Sequence, residues 1–591
     1  MADSPSKYRD NVFSYSVFSD GTKVDDRYSL TYIWVHLGVN EVGKAVLKFN
    51  AGDMEVQIFE ETDADFFKPG TAIRLEVGEI NREKVLFEGI VIQLKIEVEE
   101  DSRTQMVVVC RDCVFGATLG RRNKIFEEKT DSDIVKEILG AYGSVVVEDT
   151  RYKHPALVQY YCTDWDFALS RAEANGLFII TCGNKISVKK PMVDGEPVLT
   201  VTYGNDVIDF DGGVTVVSQF GEVEGVSWSP AQQKIVSLKA ADPALNAQGD
   251  LTAVALSAGD YQLCQTDAPI ETDALQKLVD GVALKNGLAR FEGSFMFYGC
   301  ADVVPGCIVE LAGMGKRFNG KVYVGQVEHV VEGNVWTTRV FMGVPAGFIT
   351  DEPDVMAPAA SGWLPGIEGL HIGKVKKLDE DPLKEFRIRV ELPWLNGEKR
   401  EFWARLATTY AGKQYGSFCF PEPGDEVVLG FFNNDPSHPV VLGSLYSSKL
   451  SPAYKLEAKN NKKAWVSREK LKIEFDEDKK VITLVTPGSN QLEISDDGKS
   501  VRLSDQNKNV LVLDKDGITL NSAKDITLKA KGNILLDATS KVSVKAKSDV
   551  GLEGMNVKAT AKVGFTAKGN ATAEISASGQ TTVKGAMVMI N

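Results

Sequence analysis

Side chains able to do chemistry are scarce in this chain of 591 residues, which holds eight cysteines and five histidines. So few cysteines over such a length fit a reducing compartment and not a disulfide framework. His36, His154, His329, His371 and His438 are far apart in the sequence. None stands in a Gly-x-Ser-x-Gly, His-Glu-x-x-His or phosphate-loop setting. No run approaches the roughly 18 apolar residues of a membrane-spanning helix. The start of the chain has no apolar run flanked by basic residues, so no secretory leader is expected. From Asp514 onward there is no proline, cysteine or histidine, and Phe565 is the one aromatic. That stretch has little with which to catalyse a reaction, hold a metal or fill a globular core.

Two residue groups invite a chemical reading, and both have plainer ones. Cys110-x-x-Cys113 is the only close cysteine pair, but zinc needs two further ligands. Cys162 and Cys182 lie far off without a matching spacing, so structural cysteines are expected. Glu422 and Asp425 flank Pro423-Gly424 and have the types of an acid and a base. A tight turn ahead of a strand explains them better. The expectation is therefore no catalytic residue, no metal site and no cofactor.

What is present is a repeat. Ile518-Thr-Leu520, Ile526-Thr-Leu528, Ile534-Leu-Leu536, Val542-Ser-Val544 and Val550-Gly-Leu552 recur every eight residues, with polar turn-forming stretches between them. A short fixed period of β-branched triplets reads as a β-solenoid. Alternation along a pleated strand places the first and third residue of each triplet in a core. The predicted needle core is thus Ile518, Leu520, Ile526, Leu528, Ile534, Leu536, Val542, Val544, Val550 and Leu552. Two such residues per octad are too few for one chain to bury against itself. Three identical chains wound together would close a prism with no free edge. Val557, Val563 and Ala571 no longer fall on one octad grid, so a loss of register is expected after Leu552. The inward positions shrink towards alanine, glycine and threonine there.

Charge is uneven along the chain. The net charge is −15, yet residues 515–591 carry eleven lysines against six acids, a net of +5, which leaves −20 for the rest. Solvated faces explain this adequately. The domain reading is a mixed head over 1–350, a linker over 351–366 rich in proline, alanine and glycine, and a barrel unit over 367–448. A β-hairpin neck over 449–513 and the octad needle and tip over 514–591 complete it. In the head, a capping box at Thr130-Asp-Ser-Asp133 opens a helix with Gly143 as its stop, and Thr163-Asp-Trp-Asp166 opens a second. A third helix is expected from about Asp273 to Lys285. Four or five short strands in the barrel unit are consistent with an OB-type barrel. Turns are expected at Pro487-Gly488, Asp497-Gly498 and Asp516-Gly517.

Several of these pieces resemble one known family. Gln159-Tyr-Tyr-Cys-Thr-Asp-Trp-Asp-Phe167, followed by Arg171, Glu173 and Asn175-Gly-Leu177, is similar to a helix-then-strand signature. Pro305-Gly306, Phe318-Asn-Gly-Lys-Val-Tyr-Val324, Val327-Glu-His329 and Trp336-Thr-Thr338 resemble that family's second barrel. Asp381-Pro382, Arg387-Ile-Arg-Val390, Trp403-Ala-Arg405, Pro421-Glu-Pro-Gly-Asp-Glu-Val427 and Gly443-Ser-Leu-Tyr446 resemble its OB unit. The family is VgrG, the central spike of type VI secretion, with relatives in extracellular contractile injection systems and contractile phages.

The resemblance implies a fold that is mainly β with a few helices. It has a phage-hub-like double β-barrel head, an OB-fold barrel and a C-terminal intertwined triple-stranded β-helix needle. It implies a homotrimer that docks on a ring of inner-tube protein among baseplate proteins. It also implies a PAAR-repeat cone on the tip, effector cargo, and transient contact with a target membrane. Val583, Lys584, Gly585, Ala586, Met587, Val588, Met589, Ile590 and Asn591 are the expected tip and cone-docking residues. Nothing follows the needle in this sequence, unlike members with a fused effector, and no histidine after His438 is available for a tip metal. Assembly in the bacterial cytoplasm and export through the contractile apparatus are implied. The alternatives are the spike of an extracellular injection particle or phage tail, and more remotely an OB-fold nucleic-acid binder. The barrel's acids argue against nucleic acid, for a single-strand groove needs a basic lining.

Overall fold

The computed structural model describes residues 3–5, 13–100, 103–395 and 400–590. Asn591 of the expected tip lies outside the described residues. The chain divides into two compact units, Met1–Leu445 and Tyr446–Asn591.

Period-two alternation builds the head. Strand Leu30–Gly38 buries Ile33, Val35 and Leu37, and strand Lys44–Asn50 buries Ala45, Leu47 and Phe49 while its lysines stay outside. Strands from both halves of the head join one thirteen-stranded sheet. The seam is the antiparallel pairing of Leu30–Gly38 with Gly320–Glu332, where Val35 stands opposite His329. The largest apolar core follows that sheet, from Val17 through Phe49, Leu75 and Val108 to Phe297 and Val340.

Three α-helices are longer than a single turn among the described residues. Helix α1 spans Asp131–Leu139 and carries the expected box, with Asp133 N donating to Thr130 Oγ1 at 3.1 Å and Thr130 N to Asp133 Oδ2 at 3.3 Å. It stops at Gly140, three residues before the expected Gly143, because the Gly140 amide already closes the last turn. Helix α2 spans Asp164–Glu173, capped by Thr163. Helix α3 spans Thr272–Leu288, longer than expected at its C-terminal end. It packs on a three-stranded sheet, Lys234–Lys239, Val223–Ser229 and Gln262–Thr266. Gly225 is required there, since a Cβ would lie 2.4 Å from Val279.

The barrel closes through His371–Lys377, Ile388–Glu391, Glu401–Leu406, Pro439–Ser444 and Glu426–Phe431. Inside it Val375, Ile388, Val390, Ala404, Val427, Leu429 and Val441 are almost wholly buried. The suspected acid and base sit in its turn. Glu422 N donates to the Asp425 carboxylate at 2.8 Å, which ties the loop.

The second unit begins as a seven-stranded antiparallel meander. Its strands are Lys462–Val466, Lys472–Asp476, Val481–Val485, Gln491–Ser495, Ser500–Ser504, Val510–Asp514 and Gly517–Asn521. At two of the expected turns the left-handed position falls one residue after the glycine, on Ser489 and Lys499, with φ of 66° and 44°. After Asn521 no strand is assigned among the described residues; the chain bends sharply at 523–524, 531–532, 539–540 and 547–548. The next bends are at 554–555, 562–563, 570–571 and 578–579. The expected loss of register after Leu552 is therefore a single one-residue slip, and the octad resumes. Val563 and Ala571 miss the grid because they lie in bends, while Val557 and Phe565 open the resumed repeats.

Candidate functional site

The feature of the second unit that asks for a partner is one face of its meander. Cross-strand register lines up Trp465, Ile473, Leu484, Leu492, Leu503, Leu511 and Leu520 in one column. A second column holds Phe475, Ile482, Ile494, Val501, Leu513 and Ile518. These are the residues that a β-sheet buries on its core face. Here Trp465 is 70% exposed and Leu503 52%. Full burial of a Leu or Ile side chain is worth roughly 1.5–3 kcal/mol. The exposed half of each thus leaves on the order of 1 kcal/mol per residue unrealised.

The opposite face is polar and internally paired. Glu474 accepts from Lys462 at 2.7 Å, Lys472 at 2.6 Å and the Tyr454 hydroxyl at 2.5 Å. Burial alone would raise its pKa, but these three donors hold the carboxyl down at about 2. The asymmetry between the faces makes the sheet a one-sided element that lacks its covering layer.

The octads continue the pattern without a sheet of their own. Ile518 and Leu520 belong to the last strand. Ile526, Leu528, Ile534, Leu536, Val542, Val544, Val550 and Leu552 make no strand pairing among the described residues, and every one is more than half exposed. In these four triplets the opener is less exposed than the closer, with Ile534 at 55% against Leu536 at 71%. The tip residues Val583, Met587, Val588, Met589 and Ile590 are exposed too. Lys584, Gly585 and Ala586 lie among them with equally open surfaces.

In the first unit the titratable groups are placed structurally. The Cys110 thiol is pushed up to about 12 by burial, and Cys113 likewise by burial and the neighbouring Asp112. The Cys113 thiol donates to Gly183 O. No group of three metal-ligating side chains occurs among the described residues. His329 is pushed down to about 3 by burial and meets Thr338 Oγ1 at 3.0 Å. His36 lies between Glu41 and Glu328, His154 on Asp131, His371 between Trp394 and Phe431, and His438 on Asp435. Sequence reasoning missed the partners of His36 and His154, because each pairing joins residues from separate elements.

Comparison with known proteins adds the context. Residues 9–333, more than half of the chain, match a family model described as the Alg8 N-terminal domain. Residues 371–446 match the type VI secretion system/phage-baseplate injector OB domain. The chain is 38% identical over 74 residues to the type VI secretion system spike protein VgrG3 of Vibrio cholerae, covering 12% of this chain and 7% of that one. It is 30% identical over 86 residues to the spike protein VgrG1a of Pseudomonas aeruginosa, covering 14% and 13%. These matches therefore span only a small part of the relatives' length. Among solved structures, a prophage tail protein of Shewanella oneidensis aligns with 10% identity and a TM-score of 0.44, covering 56% of this chain and 99% of that one. An Escherichia coli component of the type VI secretion system aligns with 12% identity and a TM-score of 0.38, covering 73% and 99%.

The closed five-stranded barrel coincides with the segment that matches the type VI secretion system/phage-baseplate injector OB domain. The chain belongs to the family described by the Alg8 N-terminal domain, and its barrel segment is similar to that of spike proteins of the VgrG type.

Proposed function

We propose that this chain is the homotrimeric spike of a contractile injection machine of the type VI kind. On this reading the head docks on a ring of inner-tube protein among baseplate proteins, and the needle leads through a target envelope. The needle would deliver a PAAR-type cone at residues 583–591, together with bound effectors. The chain would assemble in the bacterial cytoplasm and leave through the contractile apparatus. It is a mechanical part on this reading, not an enzyme, and it needs no cofactor.

The supporting observation is the open apolar face running from Trp465 to Leu520, continued by the exposed octads. A soluble chain rarely leaves so long an apolar surface uncovered. Equivalent faces on two further copies would cover it with matching spacing, since every copy carries the same period. The test is the solution mass of the full-length chain by light scattering, alongside residues 1–450. An elongated particle near three times 64.5 kDa is expected. A compact monomer would remove the spike reading.

A further inference from the structure

The stretch between head and barrel, residues 347–367, which includes the linker expected over 351–366, is fastened at three places within the first unit. At the head, the Lys285 ammonium donates to Gly347 O and lies 4.5 Å from the centre of the Phe348 ring. Ile349 N donates to Glu173 Oε2 at 2.8 Å. Midway, one guanidinium gathers the backbone: Arg121 donates to the carbonyls of Asp354, Val355 at 3.3 Å and Met356 at 2.9 Å. The same group holds Tyr161 O at 2.9 Å, so head and connecting segment share one planar fork. At the barrel, Asn433 Nδ2 donates to Ser361 Oγ at 2.9 Å and Ile367 N to Asn434 O at 2.8 Å.

Backbone conformation at the barrel end points the same way. Ala360, Ser361, Asn433 and Asn434 are all left-handed, with φ of 50°, 56°, 51° and 56°. Such conformations outside glycine persist where the surroundings over-determine them, not in a loose chain. Ala360 is buried, and Gly366 approaches so closely that a Cβ there would lie 2.4 Å from the Ala359 Cβ. A passive tether would need none of these contacts.

We propose that residues 347–367 form a rigid strut that locks the barrel to the head, so that axial load passes between them without a hinge. The load-bearing purpose rests on the spike reading; the rigidity does not. Trp363 supplies the test, because its side chain is 87% exposed and offers chymotrypsin a site that only a fixed backbone protects.

In the full-length chain, cleavage after Trp363 is expected at least about a hundredfold slower than in a synthetic peptide of residues 354–370. Arg121→Ala and Gly366→Ala are each expected to speed it on the order of tenfold. Hydrogen exchange of the head strands should stay unchanged. Cleavage of the wild-type chain at the peptide's rate would overturn the strut, as would both variants cutting no faster than wild type. Should Arg121→Ala fail to fold, Gly366→Ala and the comparison with the peptide still decide. Light scattering on the same samples separates the two readings: a monomer with a protected Trp363 overturns the spike and leaves the strut standing.

Discussion

Lys285 Nζ lies 2.6 Å from Glu173 Oε1, and the two side chains are only 4% and 3% exposed. The pair joins α3 to α2. Its second carboxylate oxygen carries the Ile349 amide, so two helices and the exit of the head share one buried charge. Such a pair is not in itself strongly stabilising, but removing one partner strands the other charge away from water. Lys285→Met is therefore expected to destabilise the head by about 3–5 kcal/mol in urea unfolding. Adding Glu173→Leu should recover much of this, with a remainder of about 1–3 kcal/mol from the orphaned Ile349 amide. A single variant within about 1 kcal/mol of wild type would mean that water reaches the pair.

His36 should make the head sensitive to alkali. Its ring meets Glu328 at 3.4 Å and Glu41 at 2.8 Å, and these carboxylates raise its pKa to about 9 despite partial burial. Trp34 stacks on the same ring at 5.7 Å, with Lys44 over Trp34. A folded value above the unfolded one of about 6.5 stabilises the fold fully below pH 6.5, and that contribution is lost as pH rises through about 9. The melting temperature of the head is expected to fall across this window, and His36→Gln should flatten the slope. Equal slopes in both proteins would refute the assignment.

How much of this was legible beforehand depended on the range of the interaction. The Thr130 box is a local pattern and appears where the spacing places it, whereas the octads show in the structure as a period of bends and not as strands. The end of α1 and the turn conformations at Ser489 and Lys499 shifted by one to three residues, because closure of the last turn decides them, not glycine position. The slip between Lys547 and Gly554 is legible only when bends are told apart from the triplets between them, since Val563 lies in a bend. The pairings of Lys285 with Glu173 and of Arg121 with residues 354–356 join sites more than a hundred residues apart, and no local pattern announces them.

Trp336 lies over Gly299 more closely than any other side chain lies over a described glycine of the head. A Cβ at position 299 would lie 1.9 Å from Trp336 Cδ2, and the indole is itself buried. The strand Val335–Met342 cannot retreat, being paired on both edges with Phe291–Tyr298 and Gly320–Glu332. Gly299→Ala should cost about 1–3 kcal/mol or more by overpacking. The blue fluorescence edge of Trp336 should shift as the ring is displaced. An unchanged melting temperature would show that the ring has room to turn.

The sharpest test of the shaft uses substitutions that a lone chain would feel only slightly. Leu484 is 40% exposed and Leu536 71%, and Leu528 belongs to no ladder among the described residues. In a monomer, aspartate at 536 and proline at 528 should each stay within about 0.5 kcal/mol of wild type, and aspartate at 484 should cost only the roughly 1 kcal/mol that its buried part supplies. In a threefold assembly the same changes place three carboxylates on one axis or remove ladder donors in all three copies. A buried unpaired carboxylate costs several kcal/mol, and an interior proline about 3 kcal/mol or more. Leu484→Asp is expected to reduce the particle mass to that of one chain, while Leu528→Pro lowers resistance of the needle to denaturant. Both changes should leave the melting of the head, followed by its own tryptophans, where it was. If mass and denaturant resistance are untouched by either substitution, the apolar columns face solvent in the working protein, and the threefold shaft is wrong.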